Sequence, residues 1–170
     1  IRSTETAEQA VEQLQNEKLL GFDTETRPCF RAGEYYPPSL LQLAGETAVF
    51  VFQLKLTGLT PGLCRILSNP GITKAGVSIR DDTSELRKQA DFQPAGFIEL
   101  ATYAKKAHIK NLGLRGLAAL LLGFRISKRE QTSNWAKTDL TESQLRYAAT
   151  DAWLGREIYR HMDHAGLIAD

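Results

Sequence analysis

Four carboxylates in three separate segments of the chain have the residue types and spacing to hold divalent metal ions. Asp23 and Glu25 lie in Leu20-Gly-Phe-Asp-Thr-Glu-Thr26, Asp82 follows the apolar segment 75–79, and Asp151 lies four residues after Tyr147. Mg²⁺ and Mn²⁺ prefer oxygen ligands, and a pair of such ions is the usual device for hydrolysing phosphodiesters. If folding brings these carboxylates together, we expect a pocket too negative to exist without divalent cations.

Asp23 and Glu25 are two residues apart in a segment, 19–25, that we predict to be a buried strand. Side chains two apart on a strand point to the same face, so these carboxylates would repel each other unless a cation lies between them. Solvated charges at a fraying strand end are the alternative interpretation. The apolar residues 19–22 that precede Asp23 favour the metal site.

Asp82 has two interpretations. The pattern from Asp82 to Glu85 is typical of a helix start, so Asp82 could be an N-cap, and the neighbouring Asp81 could take either role. Helix starts often lie at the carboxyl ends of strands, where sites form, so capping and metal binding are compatible.

Tyr147 and Asp151 are four residues apart in a segment with a strong helical pattern, so they share one helix face. Alanines at 148, 149 and 152 make this helix slim and allow it to approach a sheet closely. The alternative interpretation is a core tyrosine whose hydroxyl is hydrogen-bonded to Asp151.

The remaining pattern predicts the elements that position these side chains. Apolar periodicity predicts a helix over 4–16 and strands over 19–25, 39–44 and 48–54, which could form an antiparallel meander. Further strands are predicted over 72–79 and 97–100, and helices over 61–67, 82–90 and 141–162, the last with a capping box at Thr141 and Gln144. This order indicates an α/β fold with a mixed central sheet flanked by helices. A length of 170 residues predicts one domain over 1–170.

Together the three motifs resemble the DEDD superfamily of 3′→5′ exonucleases, specifically the DEDDy branch of RNase D and the exonuclease domain of the Werner-syndrome helicase. The matching segments are Phe22-Asp-Thr-Glu25, Lys74-Ala-Gly-Val-Ser-Ile-Arg-Asp-Asp82 and Tyr147-Ala-Ala-Thr-Asp151, with weaker similarity over most of the chain. Asp81 departs from the glycine that such proteins often have there, so the choice of Asp82 depends on the register. The histidine branch would have histidine at the position of Arg146, so Tyr147 indicates the tyrosine branch.

The resemblance implies a ribonuclease-H-like fold and a metal-dependent 3′→5′ exonuclease that releases 5′-mononucleotides with two Mg²⁺ or Mn²⁺ ions. We hypothesise that Asp23 and Asp151 hold one ion and its water, and that Asp23 bridges to the second. The resemblance also implies metal-site roles for Glu25 and Asp82. An unperturbed phenol titrates near pH ~10, so we assign Tyr147 to orienting the attacking water rather than to deprotonating it.

The expected partner is single-stranded or 3′-recessed nucleic acid. Between 105 and 137, eight basic residues and one acid give +7, whereas the remaining thirteen basic and nineteen acidic residues give −6. The basic segment suits phosphate binding, although a solvated face is the alternative. A single strand requires cations and stacking groups. We predict a first loop over 27–38 and a second loop over 124–138, and their candidates are Arg27, Phe30, Arg31, Tyr35, Tyr36, Arg125, Lys128, Arg129 and Trp135. For Trp135, packing in the core is the alternative to stacking on a base.

DNA is the expected substrate, because RNase D has additional helical domains after its nuclease domain and this chain ends near His164. RNA is the closest alternative. A proofreading module of a polymerase and a catalytically inactive nucleic-acid-binding domain are the other two, and the presence of all four acids and Tyr147 argues against inactivity.

The setting of the protein is predicted from its cysteines and its hydropathy. Cys29 and Cys64 lack zinc or redox spacing, which favours a reduced, intracellular location: the cytoplasm or nucleoid of a bacterium, or the nucleus of a eukaryote. The sequence has neither an apolar run of membrane-spanning length nor a signal-peptide pattern, so no membrane partner is expected. The chain begins with Ile1 rather than methionine, which fits an excised domain.

Overall fold

A five-stranded mixed sheet forms the centre of the protein in the computed structural model, which describes residues 1–168. The strands are β1 (Leu19–Thr26), β2 (Pro38–Ala44), β3 (Val49–Gln53), β4 (Thr73–Gly76) and β5 (Phe97–Glu99). Their order is β3-β2-β1-β4-β5. The β3-β2-β1 part is an antiparallel meander, and β4 and β5 continue the sheet in parallel with β1. The predicted mixed α/β sheet is confirmed.

Helices cover both faces of the sheet. They are α1 (Thr4–Leu14), α2 (Leu54–Thr57), α3 (Pro61–Ser68), α4 (Ile79–Arg87), α5 (Leu100–Lys106), α6 (Leu114–Leu117) and α7 (Glu142–His164). α6 continues as a π-helical turn over Ala118–Leu122. Within residues 1–168, none of these helices combines the length and the apolar character that crossing a bilayer requires.

The alternation of side chains along β1 places core residues on one face of the sheet and carboxylates on the other. Leu20 and Phe22 are buried in the first core, which α1, α3 and α4 cover. Gly21, Asp23 and Glu25 point to the opposite face, which α7 covers. One strand therefore supplies apolar residues to one side of the sheet and carboxylates to the other.

Two smaller cores hold α7 to the sheet. The second core joins α7 to α5 and α6 through residues such as Leu100, Leu117 and Leu154. The third core consists of Leu40, Trp135 and Ala148 with three partly buried neighbours. The predicted capping box is confirmed, since the Thr141 hydroxyl accepts from Gln144 N and the Gln144 side chain accepts from Thr141 N.

The predicted boundary between β4 and α4 was wrong. The strand predicted over 72–79 ends at Gly76, and the helix predicted to begin at Asp82 begins at Ile79 with Ser78 as its N-cap. Ser78 has a positive φ of 65°, which ends the strand abruptly, and the Glu99 carboxylate accepts a hydrogen bond of 3.0 Å from Ile79 N. Asp82 is therefore not the N-cap but lies in the first turn of α4.

Candidate active site

The end of β1 and the middle of α7 bring three carboxylates together. One oxygen from each of Asp23, Glu25 and Asp151 lies within 4.8 Å of the other two. Asp23 and Glu25 project from the same face of β1, and Asp151 faces them from α7. The first and third sequence motifs, 126 positions apart between Glu25 and Asp151, thus meet at the carboxyl end of β1.

Close packing of α7 on the sheet explains this proximity. A Cβ atom on Gly21 would lie 1.9 Å from the carbonyl oxygen of Ala152, the residue after Asp151. A Cβ atom on Gly155 would lie 2.6 Å from the carbonyl oxygen of Ala75. Atoms cannot approach so closely, so glycine at these two positions lets the helix lie near enough for Asp151 to reach β1.

Burial raises the pKa of each carboxyl in this cluster, and the charges of acidic neighbours raise the pKa of Asp23 and Glu25 further. Burial raises the pKa of Asp23 well above its ordinary value, and the charges of its acidic neighbours raise it further. Burial, reinforced by the charge of Asp151, raises the pKa of Glu25 to about 8. Burial raises the pKa of Asp151 to about 6, although the nearby Arg115 cation opposes the shift. Without a further cation, the cluster retains protons at pH values where exposed carboxylates are ionised.

Asp82 lies beside the cluster rather than within it. Its Oδ1 accepts a hydrogen bond of 2.6 Å from the hydroxyl of Thr24, the residue between Asp23 and Glu25. Burial raises the pKa of Asp82 to about 6, and the Thr24 hydrogen bond opposes that shift. Asp81 is exposed, so the acid that faces the site from the second motif is Asp82.

Tyr147 lies one turn before Asp151 on α7, and Arg115 contacts both. Arg115 Nη2 donates to the Tyr147 hydroxyl oxygen and lies 3.2 Å from Asp151 Oδ2. The guanidinium carbon lies 4.9 Å from the centroid of the Tyr147 ring. Burial, reinforced by the charge of Asp151, raises the pKa of Tyr147 to about 12, so the phenol keeps its proton at neutral pH.

Gln42 on β2 is a further polar side chain beneath α7. It is the cross-strand partner of Asp23, so both side chains point to the same face. Gln42 is fully buried, and neither polar atom of its amide has a hydrogen-bond partner among residues 1–168. An unpaired buried amide costs about 1–3 kcal/mol, so ordered water or a ligand is expected to complete its hydrogen bonding.

The donor set fits a divalent cation of the Mg²⁺ or Mn²⁺ type. Every candidate ligand in the cluster is a carboxylate oxygen, which such hard cations prefer. Oδ1 of Asp151 is buried and has no hydrogen-bond partner in the described part of the chain, so it is free to bind a cation. The carboxylates face an open cavity of about 290 Å³, lined also by Val77, Ser78 and Gln131, which leaves room for a substrate.

The two loops predicted to bind nucleic acid adjoin neighbouring cavities. Arg129 and Tyr147 line a cavity of about 340 Å³, so the second loop borders α7. Tyr36 and Trp135 line another of about 220 Å³, where the two loops meet. The guanidinium of Arg27 lies 4.4 Å from the centroid of the Tyr36 ring, so these two residues contact each other.

The remaining candidates for nucleic-acid contact lie at the surface. Phe30 is 79% exposed and Tyr35 is 57% exposed, and the Tyr35 hydroxyl donates to the Glu85 carboxylate at 2.8 Å. Among the candidate cations of the two loops, Arg31, Arg125 and Lys128 are exposed, as is Arg129.

Trp135 is buried, which corrects one prediction. Its side chain is 1% exposed and packs in the third core against Leu40 and Ala148, with its ring centroid 5.8 Å from that of Tyr147. A base cannot stack on a ring that is covered by protein. The predicted nucleic-acid contact is therefore wrong for Trp135, and the packing alternative is confirmed.

Arg115 and Gln42 are site residues that the sequence patterns did not single out. Arg115 is a lone cation in the apolar segment 112–122, and Gln42 is a lone amide in the apolar strand β2. A polar residue within an apolar run is a signal of a special role, but it does not reveal the partner. Arg115 contacts Asp151 across 36 positions of sequence.

Comparisons with known proteins agree with the geometry. The sequence profile of a family described as 3′-5′ exonuclease matches residues 1–165. The mouse bifunctional 3′-5′ exonuclease/ATP-dependent helicase WRN is 33% identical over 160 residues, covering 91% of this chain and 11% of the relative. A ribonuclease D from Gluconacetobacter diazotrophicus is 31% identical over 164 residues, covering 94% of this chain and 41% of the relative. The chain thus spans less than half the length of either relative.

The fold is also similar to a solved structure, the EXO domain of Nibbler from Aedes aegypti. The two superpose with a TM-score of 0.85 at 24% identity, covering 97% of this chain and 88% of the other. At this identity the superposition supports the ribonuclease-H-like fold, and the fold alone.

Proposed function

The chain belongs to the 3′-5′ exonuclease family, as its motifs predicted, and from this we propose that it hydrolyses nucleic acid from the 3′ end with two divalent cations, as a DEDDy-type enzyme. The observation that carries the proposal is the cluster of Asp23, Glu25 and Asp151 within 4.8 Å, beside Tyr147. The products would be 5′-mononucleotides, and the unit that acts would be a single domain over 1–170.

Asp23, Glu25 and Asp151 are the proposed ligands. When bound, the cations acidify a water and neutralise the charge that develops on the phosphate and the 3′ oxygen. Asp82 lies outside the cluster of three, and we propose that it acts through water while its Thr24 hydrogen bond fixes its orientation.

Tyr147 is proposed to orient the attacking water. A phenol whose pKa is raised to about 12 is protonated at neutral pH and cannot serve as a general base. Arginine only donates hydrogen bonds, so the Tyr147 oxygen is the acceptor for Arg115 and its own O–H proton remains available for another acceptor. This arrangement suits a hydrogen-bonding role rather than proton abstraction.

The nucleic-acid strand is proposed to approach the site along the cationic second loop. Arg129 lines the cavity that Tyr147 borders, and Arg125 and Lys128 are exposed nearby in sequence. Phosphate contacts of this kind provide affinity that is independent of base sequence and falls with salt. Among the candidate aromatic residues, Phe30 and Tyr35 are exposed and available for stacking, whereas Trp135 is excluded by its burial.

DNA stays the proposed substrate and RNA the alternative. Discrimination depends on contacts at the 2′ position of the sugar. Relatives named for a helicase-linked exonuclease and for a ribonuclease match this chain at 33% and 31% identity, so both substrates belong in the test.

The test is digestion of DNA and RNA strands of matched sequence by the purified chain with Mn²⁺, Mg²⁺ or EDTA. A 5′-labelled strand should shorten in single-nucleotide steps, and a 3′-labelled strand should release its label at once as a mononucleotide. Asp151→Ala, purified in parallel, controls for contaminating nucleases. Binding of both strands without any shortening under all metal conditions would instead support the inactive nucleic-acid-binding alternative.

A further inference from the structure

Arg115 is the one cationic side chain among the residues of 1–168 that line the carboxylate cavity. Its side chain is 20% exposed, and its ion pair with Asp151 connects the beginning of α6 to the middle of α7. A cation in this position balances part of the negative charge that Asp23, Glu25 and Asp151 create together.

Arg115 contacts two groups of the proposed reaction, Tyr147 and Asp151. One nitrogen, Nη2, serves both the Tyr147 hydroxyl oxygen and Asp151 Oδ2, and the guanidinium lies over the Tyr147 ring. Arg115 Nε is buried without a hydrogen-bond partner in the described range of the chain. The hydrogen bonding of this guanidinium is therefore incomplete.

We propose that Arg115 is the built-in counter-ion of the carboxylate site, and that divalent cations compete with it for Asp151 and release Tyr147 when they bind. The inference rests on the proposed function, because it assumes that the cations bind to the same carboxylates.

The competition follows from charge and from shared ligands. Arg115 occupies Oδ2 of Asp151, and a divalent cation bound by the same small cluster would repel a guanidinium hydrogen-bonded to one of its members. Weakening that ion pair also removes the donor that holds the Tyr147 hydroxyl oxygen. Loading of the site is thereby linked to a change in the hydrogen bonding of the Tyr147 hydroxyl oxygen, while its O–H remains a donor for the attacking water.

The test is the affinity for Mn²⁺ alone, measured by isothermal titration calorimetry at neutral pH without nucleic acid. Arg115→Gln removes the competing charge, so it should bind Mn²⁺ more tightly than the wild type, by roughly tenfold for one charge-assisted hydrogen bond. The metal-free variant should also melt at a lower temperature and show a larger increase in melting temperature on Mn²⁺ addition. Arg125→Gln, an exposed arginine of the same basic segment, is the control and should match the wild type in Mn²⁺ affinity.

Arg115→Lys keeps a charge but loses the forked donors, so its Mn²⁺ affinity should lie between those of the wild type and Arg115→Gln. This variant carries the test if Arg115→Gln does not fold. Unchanged or weaker Mn²⁺ binding in the folded variants would overturn the counter-ion role while leaving the proposed exonuclease intact. Absence of Mn²⁺ binding to the wild type would overturn the metal site itself, and this inference with it.

Discussion

Two of the regions in which residues 1–168 bury charged groups compensate that charge in opposite ways. Lys74 on β4 is fully buried, and its ammonium donates to the carbonyl oxygens of Ile66, Asn69 and Ile72 at 3.1, 2.7 and 2.7 Å. Each of its three N–H groups therefore has an acceptor. Burial lowers the pKa of Lys74 to about 8, so the ammonium is still the main form at neutral pH.

The carboxylates between β1 and α7 lack such compensation. Asp151 Oδ1 has no hydrogen-bond partner within residues 1–168, and the pKa of Glu25 is raised to about 8 by burial and by the charge of Asp151. Arg115 is the cation that offsets part of this repulsion. Gln42, on the neighbouring strand, is buried with both amide atoms unpaired in the same described range.

The difference separates a structural charge from the charge of the proposed active site. Lys74 connects the end of α3 and the following turn to the sheet, and its completed hydrogen bonds leave nothing for a ligand to add. The carboxylate cluster is incomplete, so it gains from a ligand that supplies positive charge. Substitutions in the carboxylate cluster should therefore lower activity but not stability, and substitution of Lys74 should lower stability but not activity.

Asp151→Asn should have the largest effect, and it should fall on activity. Loss of a metal ligand removes several kcal/mol of transition-state stabilisation, so we expect hydrolysis to slow by roughly a thousandfold or more. The metal-free melting temperature should not fall, because the variant removes one of the mutually repelling charges. Rates of shortening of a 5′-labelled strand and thermal melting in EDTA check both parts. A variant that is both active and less stable would place Asp151 with Lys74 as a structural charge.

Lys74→Met should show the reverse. Removing the ammonium leaves three buried carbonyl oxygens without donors, and we expect the free energy of unfolding to fall by roughly 3 kcal/mol. The rate of hydrolysis per folded molecule should stay close to that of the wild type. Urea denaturation measures the first quantity, and Lys18→Met, at an exposed position, is the matched control. Wild-type stability in Lys74→Met would show that the three hydrogen bonds contribute little.

Tyr147→Phe should affect one step of the reaction and leave metal binding intact. Losing a hydrogen bond that orients the attacking water should slow hydrolysis by roughly tenfold to a hundredfold. The Mn²⁺ affinity should be retained, because the phenol is not a proposed ligand. Tyr103→Phe, in the second core, controls for loss of a tyrosine hydroxyl away from the site. Undiminished hydrolysis in Tyr147→Phe would remove the orienting role.

Local patterns in the sequence were enough to predict the elements that carry the site. The apolar approach to Asp23 and Glu25 predicted β1, and the capping box at Thr141 predicted the start of α7, because each signal is contained within a few residues. The spacing of Tyr147 and Asp151 predicted their shared helix face. The fold class followed from the order of the elements.

What the sequence did not predict depends on contacts between distant segments. Ser78 adopts a positive φ that no local pattern indicated. Because of this conformation, α4 begins at Ile79 rather than at Asp82. Arg115 meets Asp151 only after α6 packs on α7, and Trp135 is buried only because the second loop folds over Leu40. In each case the deciding contact joins residues that are far apart in the chain.

The pH dependence of the melting temperature distinguishes the two buried charges by its sign. The raised pKa values of Glu25, about 8, and Asp151, about 6, mean that the folded metal-free chain binds more protons than the unfolded chain between about pH 4 and 8. Stability in EDTA should therefore fall as the pH rises through this window. For Lys74, a pKa lowered from 10.5 to about 8 means that the unfolded chain binds more protons, so its contribution should rise above about pH 8. In a plot of melting temperature against pH, Glu25→Gln should flatten only the part below about pH 8, and Lys74→Met only the part above it.

Mn²⁺ should raise the melting temperature more at pH 7.5 than at pH 5, because protons compete with the cation for the carboxylates. An equal increase at both pH values would mean that Mn²⁺ stabilises the protein at some other site.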